Sequence, residues 1–202
     1  GFTFSKACER DSITFSNSSV INKGSLSYKW HFGNSDSSSL AAPKTLYSSS
    51  GNKSVLIIAS SSKGCSDSLI NIISVKAKPI VALGSTIATC GKSLGIDANN
   101  SGATFIWNNG KNTQTITAFN SGFYWVKVTN SFNCETVDSV QVLLNTKVQP
   151  QLGLDRSICD SVILTSGYGS TTSSALWNGG STNHSFSVKT SGMYSVRITD
   201  PN

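Results

Sequence analysis

The side chains able to do chemistry in this chain are few and widely spaced: five cysteines, two histidines and ten carboxylates in 202 residues. General acid–base catalysis needs titratable groups that converge, and a nucleophile needs a base beside it. His31 and His184 lie in different thirds of the chain, each far from the other. Residues 91–95, GKSLG, spell the G-x-S-x-G of a nucleophile elbow. That elbow is a strand–turn–helix, and here no helical pattern follows and no histidine is near. Residues 90–93, CGKS, look like the close of a phosphate loop, but Thr86 stands where its first glycine belongs. Zinc has no C-x-x-C to hold it, and the stretches Asn34–Ser38 and Asp97–Asn100 offer calcium one carboxylate each. The expectation is therefore no enzyme: no catalytic residue, no cofactor and no metal site.

The cysteines do follow a pattern, that of an internal repeat. "KPIVALGSTIATC…FIWNNGKNTQTITAFNSGFYWVKVTN" aligns with "QPQLGLDRSIC…ALWNGGSTNHSFSVKTSGMYSVRITD". Trp107 and Trp177, Gly110 and Gly180, Gly122 and Gly192, and Tyr124 and Tyr194 are each 70 residues apart. Cys90 and Cys159 match within one residue of that offset. Residues 1–78 carry the same skeleton more loosely, as "CERDSITFSN", "SYKWHFG" and "NKSVLIIASSSKGCSDSLINIISV". Three units result, 1–78, 79–147 and 148–202, each with an early cysteine and a central tryptophan. The first two also carry a late cysteine. By the offset, the third would have its own at position 204, so the third unit is expected to lack its last strand and Cys159 to find its partner beyond the chain. One bridge per unit is expected, Cys8–Cys65 and Cys90–Cys134, each worth roughly 3–4 kcal/mol in the chain-entropy view. Small stapled units point to an oxidising compartment, outside the cell.

The elements that position these residues are strands. In "FYWVKV" Tyr124, Val126 and Val128 share one face, and Phe123, Trp125 and Lys127 the other. "SVLIIAS", "LINIISV" and "DSVQVLL" are short β-branched runs between Ser, Gly and Asn clusters, and no window carries a capped helical stripe. The fold class is all-β: tandem immunoglobulin-like sandwiches with Trp30, Trp107 and Trp177 in their cores. Phe123 and Trp125 have Met193 and Ser195 as counterparts in the third unit. The fold does not demand them, so with Lys127 they form a candidate ligand face or an inter-module seam.

Residues 1–78 resemble a PKD-type immunoglobulin-like domain, whose W-x-F-G-D-G stretch reads here as "WHFGNS", Trp30 to Ser35. Asn34 and Ser35 replace the Asp-Gly of that turn. Residues 79–147 and 148–202 resemble the "P-x-x-x-L-G … C … W-x-x-G … S-G-x-Y-x-V-x-V-T-D" repeats of long Bacteroidota surface proteins, gliding-motility adhesins among them. The resemblance implies export by the type IX secretion machinery and a stalk or adhesin role, with a surface polysaccharide or another adhesion target as partner. The alternative is a carbohydrate-binding accessory region of a secreted glycan-degrading enzyme. It also implies O-glycans on Asp-Ser-apolar sequences, here at Ser12, Ser68, Ser139 and Ser161.

Charge adds little to this. The net charge of +6 is concentrated in the first unit, but its lysines are scattered singly rather than forming the aromatic-interleaved stripe of a nucleic-acid reader. No apolar run is long enough to insert into a membrane as a helix.

Overall fold

A computed structural model describes residues 1–145, 148–167 and 173–200. Every element among them is a strand. The chain divides into two compact units. The first comprises residues 1–85, 95–116 and 123–141, and the second residues 86–94, 117–122 and 142–202.

Within the first unit, the N-terminal repeat is a complete sandwich. Its strands are β1 (Phe2–Phe4), β2 (Ser12–Asn17), β3 (Leu26–His31), β4 (Ser37–Ser38), β5 (Lys44–Leu46), β6 (Gly51–Ser61) and β7 (Ser66–Val75). One sheet runs β1-β2-β5 and the other β4-β3-β6-β7. The inward residues of both sheets, among them Ile13, Phe15, Trp30, Phe32, Val55, Ile57, Ile73 and Val75, form one buried cluster. Phe2, Phe15, Trp30 and Phe32 meet ring to ring at centroid distances of 5.2–6.1 Å. Alternation puts these rings inside, and at this domain size their burial is the main source of stability.

The replaced Asp-Gly turn closes by other means. Asn34 Nδ2 donates to Asp36 Oδ2 at 3.0 Å and to Leu46 O at 3.0 Å, while Asn34 Oδ1 accepts from the Asp36 N–H. Ser35 takes the left-handed backbone, φ 71°. Gly33 before it has φ +72°, and a Cβ there would sit 2.7 Å from Ser54 O, so this position admits only glycine.

The second repeat contributes β8 (Thr86–Cys90), β9 (Leu94–Asp97), β10 (Thr104–Trp107), β11 (Thr115–Ala118), β12 (Gly122–Thr129) and β13 (Glu135–Asn145). They form sheets β10-β12-β13-β8 and β11-β9. The third repeat contributes β14 (Val162–Thr165), β15 (Ser174–Trp177), β16 (Ser185–Val188) and β17 (Val196–Thr199), paired as β14-β16 and β15-β17.

The repeat read from sequence extends to individual hydrogen bonds. Trp107 pairs with Val126 across β10 and β12, and Trp177 with Val196 across β15 and β17. The Trp107 indole N–H donates to Thr113 O at 2.8 Å and the Trp177 indole to Asn183 O at 2.8 Å. Asn108 Nδ2 donates to Phe123 O, and Asn178 Nδ2 to Met193 O, both at 2.9 Å. Gly110 and Gly180 close the same turn at φ +80° and +83°. All three core tryptophans are sealed, at 0–1% exposure.

Candidate functional site

The disulfide connects repeats instead of stapling one. Cys8 is bridged to Cys134, with Cα atoms 5.7 Å apart and both residues fully buried. This corrects the expected Cys8–Cys65 and Cys90–Cys134 pairs. The reason lies in strand length. Cys65 immediately precedes β7, whereas Cys8 lies in a parallel bridge with Lys76, just past the end of that strand. Ten residues of strand put the two cysteines about 30 Å apart, far beyond the Cα spacing that a disulfide tolerates. The second repeat has the same layout: Cys134 immediately precedes β13, and Gly91, next to Cys90, donates to Asn145 O at its far end. The late cysteine of a repeat and its own early cysteine thus occupy opposite ends. Cys65, Cys90 and Cys159 are all exposed.

Around the bridge, the segment joining the first two repeats is fastened residue by residue. Lys76 N–H donates to Ala7 O and Glu9 N–H to Lys76 O. From the other side, Asn130 Nδ2 donates to Ala77 O at 2.8 Å, Thr136 Oγ1 to Pro79 O at 2.8 Å and Asn100 Nδ2 to Ile80 O at 2.8 Å. The Leu83 N–H donates to Asp138 Oδ2 at 2.7 Å. Lys6 Nζ reaches Asn133 O at 2.7 Å, and Lys76 Nζ lies 4.7 Å from the centroid of the Phe132 ring. Glu9 accepts the Lys78 N–H at 3.2 Å and the Ser50 N–H at 2.9 Å. The Lys78 amide, and then that of Ser50, hold its carboxyl below the usual glutamate range. Lys78 also pairs with Asp11. In the sequence this junction, KAKPI at residues 76–80, is short and marked only by a proline. The signal that would have exposed the clamp, side chains such as Asn100 and Asn130 addressing backbone 50 or more residues away in one case and 20 in the other, has no local spelling.

The outward aromatic pair is placed as its alternation requires. Phe123 is 67% and Trp125 41% exposed, while Val126 and Val128 are buried. Asn108 ties down this stretch of β12: its amide donates to Phe123 O, and its Oδ1 accepts the Trp125 N–H at 3.3 Å. Lys127 on the same face reaches Glu135 Oε1 at 3.5 Å. Ile106 on β10, opposite Lys127 in the β10–β12 pairing, is exposed too, which extends the apolar character of the face.

Of the proposed acceptor serines, Ser12, Ser68 and Ser139 lie in β2, β7 and β13 and Ser161 just before β14, and all four are exposed. The Asp67 and Asp138 carboxylates each accept the N–H of the following serine at 2.8 Å. His31 ends β3 of the first repeat, and His184 immediately precedes β16 of the third. Among the described residues no group of three or more His, Cys, Asp or Glu side chains gathers as a metal site would require.

No protein-family model matches the chain, and no curated protein matches it. Similar solved structures do exist. The PKD1 domain of the Vibrio cholerae metalloprotease PrtV is 33% identical, over 37% of this chain and 91% of that one, with a TM-score of 0.35. The PKD1 domain of Vibrio anguillarum Epp is 28% identical, over 38% of this chain and 90% of that one, with a TM-score of 0.36. A carbohydrate-binding module of the β-sandwich superfamily is 18% identical, over 63% of this chain and 53% of that one, with a TM-score of 0.38. Fibronectin-III-like modules and immunoglobulin domains are among the other solved structures that this chain is similar to.

Proposed function

We propose that this chain is a non-catalytic, load-transmitting segment of an extracellular protein, built from sandwich modules at 1–78, 79–147 and 148–202 and stiffened by bridges between modules. The observation that carries this reading is the Cys8–Cys134 disulfide with its surrounding clamp. A disulfide inside one module stabilises that module; one between modules removes a hinge. Such a bridge persists only in an oxidising compartment, which supports a location at the cell surface or beyond. The finer reading, a repeat region of a Bacteroidota surface protein exported by type IX secretion and used in attachment or gliding, rests on the sequence resemblance, as do glycans at Ser12, Ser68, Ser139 and Ser161. Intact-mass measurement of native material is the check on the glycans.

The experiment that tests this reading is backbone NMR relaxation on the whole chain. Residues 1–78 and 79–141 should share one correlation time when oxidised and separate into two after reduction. Independent tumbling of the oxidised protein overturns it.

A second reading, glycan binding, is favoured by one observation: Phe123 and Trp125 stand exposed on a sheet face whose core needs neither. Binding on a glycan array that Trp125→Ala abolishes would support it, and an array empty for the unaltered chain would dismiss it.

A further inference from the structure

The turn that delivers Cys134 to its bridge is built twice in this chain. In the second repeat, the Asn130 N–H donates to Cys134 O at 3.0 Å and the Asn133 N–H to Asn130 O at 2.9 Å. The Cys134 N–H donates to Asn130 Oδ1 at 3.0 Å, and Asn133 takes φ 60°. In the first repeat, the Ser61 N–H donates to Cys65 O at 2.7 Å and the Gly64 N–H to Ser61 O at 3.0 Å. The Cys65 N–H donates to Ser61 Oγ at 3.1 Å, and Gly64 takes φ +84°. Backbone pattern, side-chain cap and left-handed residue all coincide. One cysteine of this matched pair is bridged and fully buried, while the other is exposed and free.

We infer that Cys65 is the acceptor position for a second inter-module bridge, its partner being the early cysteine of another sandwich of this repeat type. The bridged pair sets the rule: the early cysteine of one module joins the late-turn cysteine of the next. Cys159 is such an early cysteine, exposed and free, and precedes Asp160-Ser161 and β14 as Cys8 precedes Asp11-Ser12 and β2. A second copy of this chain carries such a cysteine, so the pairing assigned is Cys159 of one copy to Cys65 of the next. That contact is head-to-tail and does not close on itself, so it yields linear chains. The inference rests on the stapled-array reading above.

The chemistry is thiol–disulfide exchange with a glutathione-class oxidant. The Cys65 thiolate attacks one sulfur of oxidised glutathione, breaking its S–S bond and releasing one glutathione thiolate. The Cys159 thiolate of the second copy then attacks the Cys65 sulfur of the mixed disulfide and releases the second glutathione. Two protein thiols are oxidised and one glutathione disulfide is reduced; the two thiol protons pass to solvent or to the released glutathione thiolates.

The test is to incubate the whole chain at high concentration in a glutathione redox buffer and map its disulfides by mass spectrometry without reduction. Cys8–Cys134 should be present in every molecule. The intermolecular link should be Cys65–Cys159, several-fold above Cys65–Cys65 and Cys159–Cys159. Ser61→Ala removes the cap but leaves Cys65 exposed, so it should abolish that preference while the rate of alkylation at Cys65 stays the same. Links in statistical proportion, or a preference unchanged by Ser61→Ala, overturn the inference and leave the stapled-array reading standing. Absence of Cys8–Cys134 itself would remove both.

Discussion

Replacing Cys8 and Cys134 together by alanine is the sharpest way to measure what the inter-module bridge does. The bridge closes a segment of 126 residues. The loop-closure relation gives an entropy near 16 cal/mol/K for that length, or about 5 kcal/mol at room temperature. That exceeds what either within-repeat pair would have contributed, because the enclosed loop is longer. For a unit of this size, a loss on that scale lowers the melting temperature by on the order of 15 °C. Differential scanning calorimetry of the unaltered chain, the Cys8→Ala/Cys134→Ala variant and Cys65→Ala checks it. The double variant should melt far lower, its main transition splitting as the first repeat parts from the second, while Cys65→Ala should be almost unchanged. A double variant that melts within a few degrees of the parent, still in a single transition, refutes the clamp argument. So does an equal loss from Cys65→Ala, because the bridge would then lie elsewhere.

Three further expectations concern single residues. The Tyr47 phenol donates to Phe32 O at 2.8 Å, and burial, with Asp36 second, pushes its pKa up to about 12. Its folded pKa lies above the unfolded value of 10.0, so this stability is complete below pH 10 and lost as the pH rises towards 12. Alkaline unfolding followed by tyrosinate absorbance should show that step, and Tyr47→Phe should lack it. The Glu9 carboxyl is displaced downward, so its contribution is present above the ordinary value of about 4.5 and vanishes as the pH falls through the lowered folded value. Glu9→Gln should weaken the fold at neutral pH and flatten its acid dependence in urea titrations. Asn108→Ala removes two hydrogen bonds that hold β12, at a cost of roughly 1–3 kcal/mol by chemical denaturation, with the Phe123 and Trp125 resonances shifting most.

Much of this architecture is legible in the sequence because its signals are local or periodic. Alternation in residues 123–128 separates Val126 and Val128 from Phe123 and Trp125, and burial follows that division. The 70-residue offset aligns the tryptophans, and the same offset predicts which loop carbonyl each indole meets. The disulfide partner is a different kind of fact. In a tandem array, equal placement of cysteines in each repeat fits pairing within a unit and pairing between neighbours alike. The choice is made by the ends of the strand: β7 and β13 carry the late cysteine at one end and run past the early cysteine's neighbourhood at the other. The clamp on residues 76–83 escaped for the same reason. Its donors, Asn100, Asn130 and Thr136, are ordinary loop and strand residues in isolation and acquire their role only when two modules are in place.

The sealing of Trp30, Trp107 and Trp177 leaves Trp125 as the one indole of the four that solvent reaches. A diffusible quencher such as acrylamide will therefore extinguish emission from the outer face of β12 while the other three fluoresce from shielded interiors. The protein carries its own optical probe on the face proposed above for a sugar ring or a neighbouring module. Occupancy of that face can be followed without a label, as a loss of quencher access against a constant protected background.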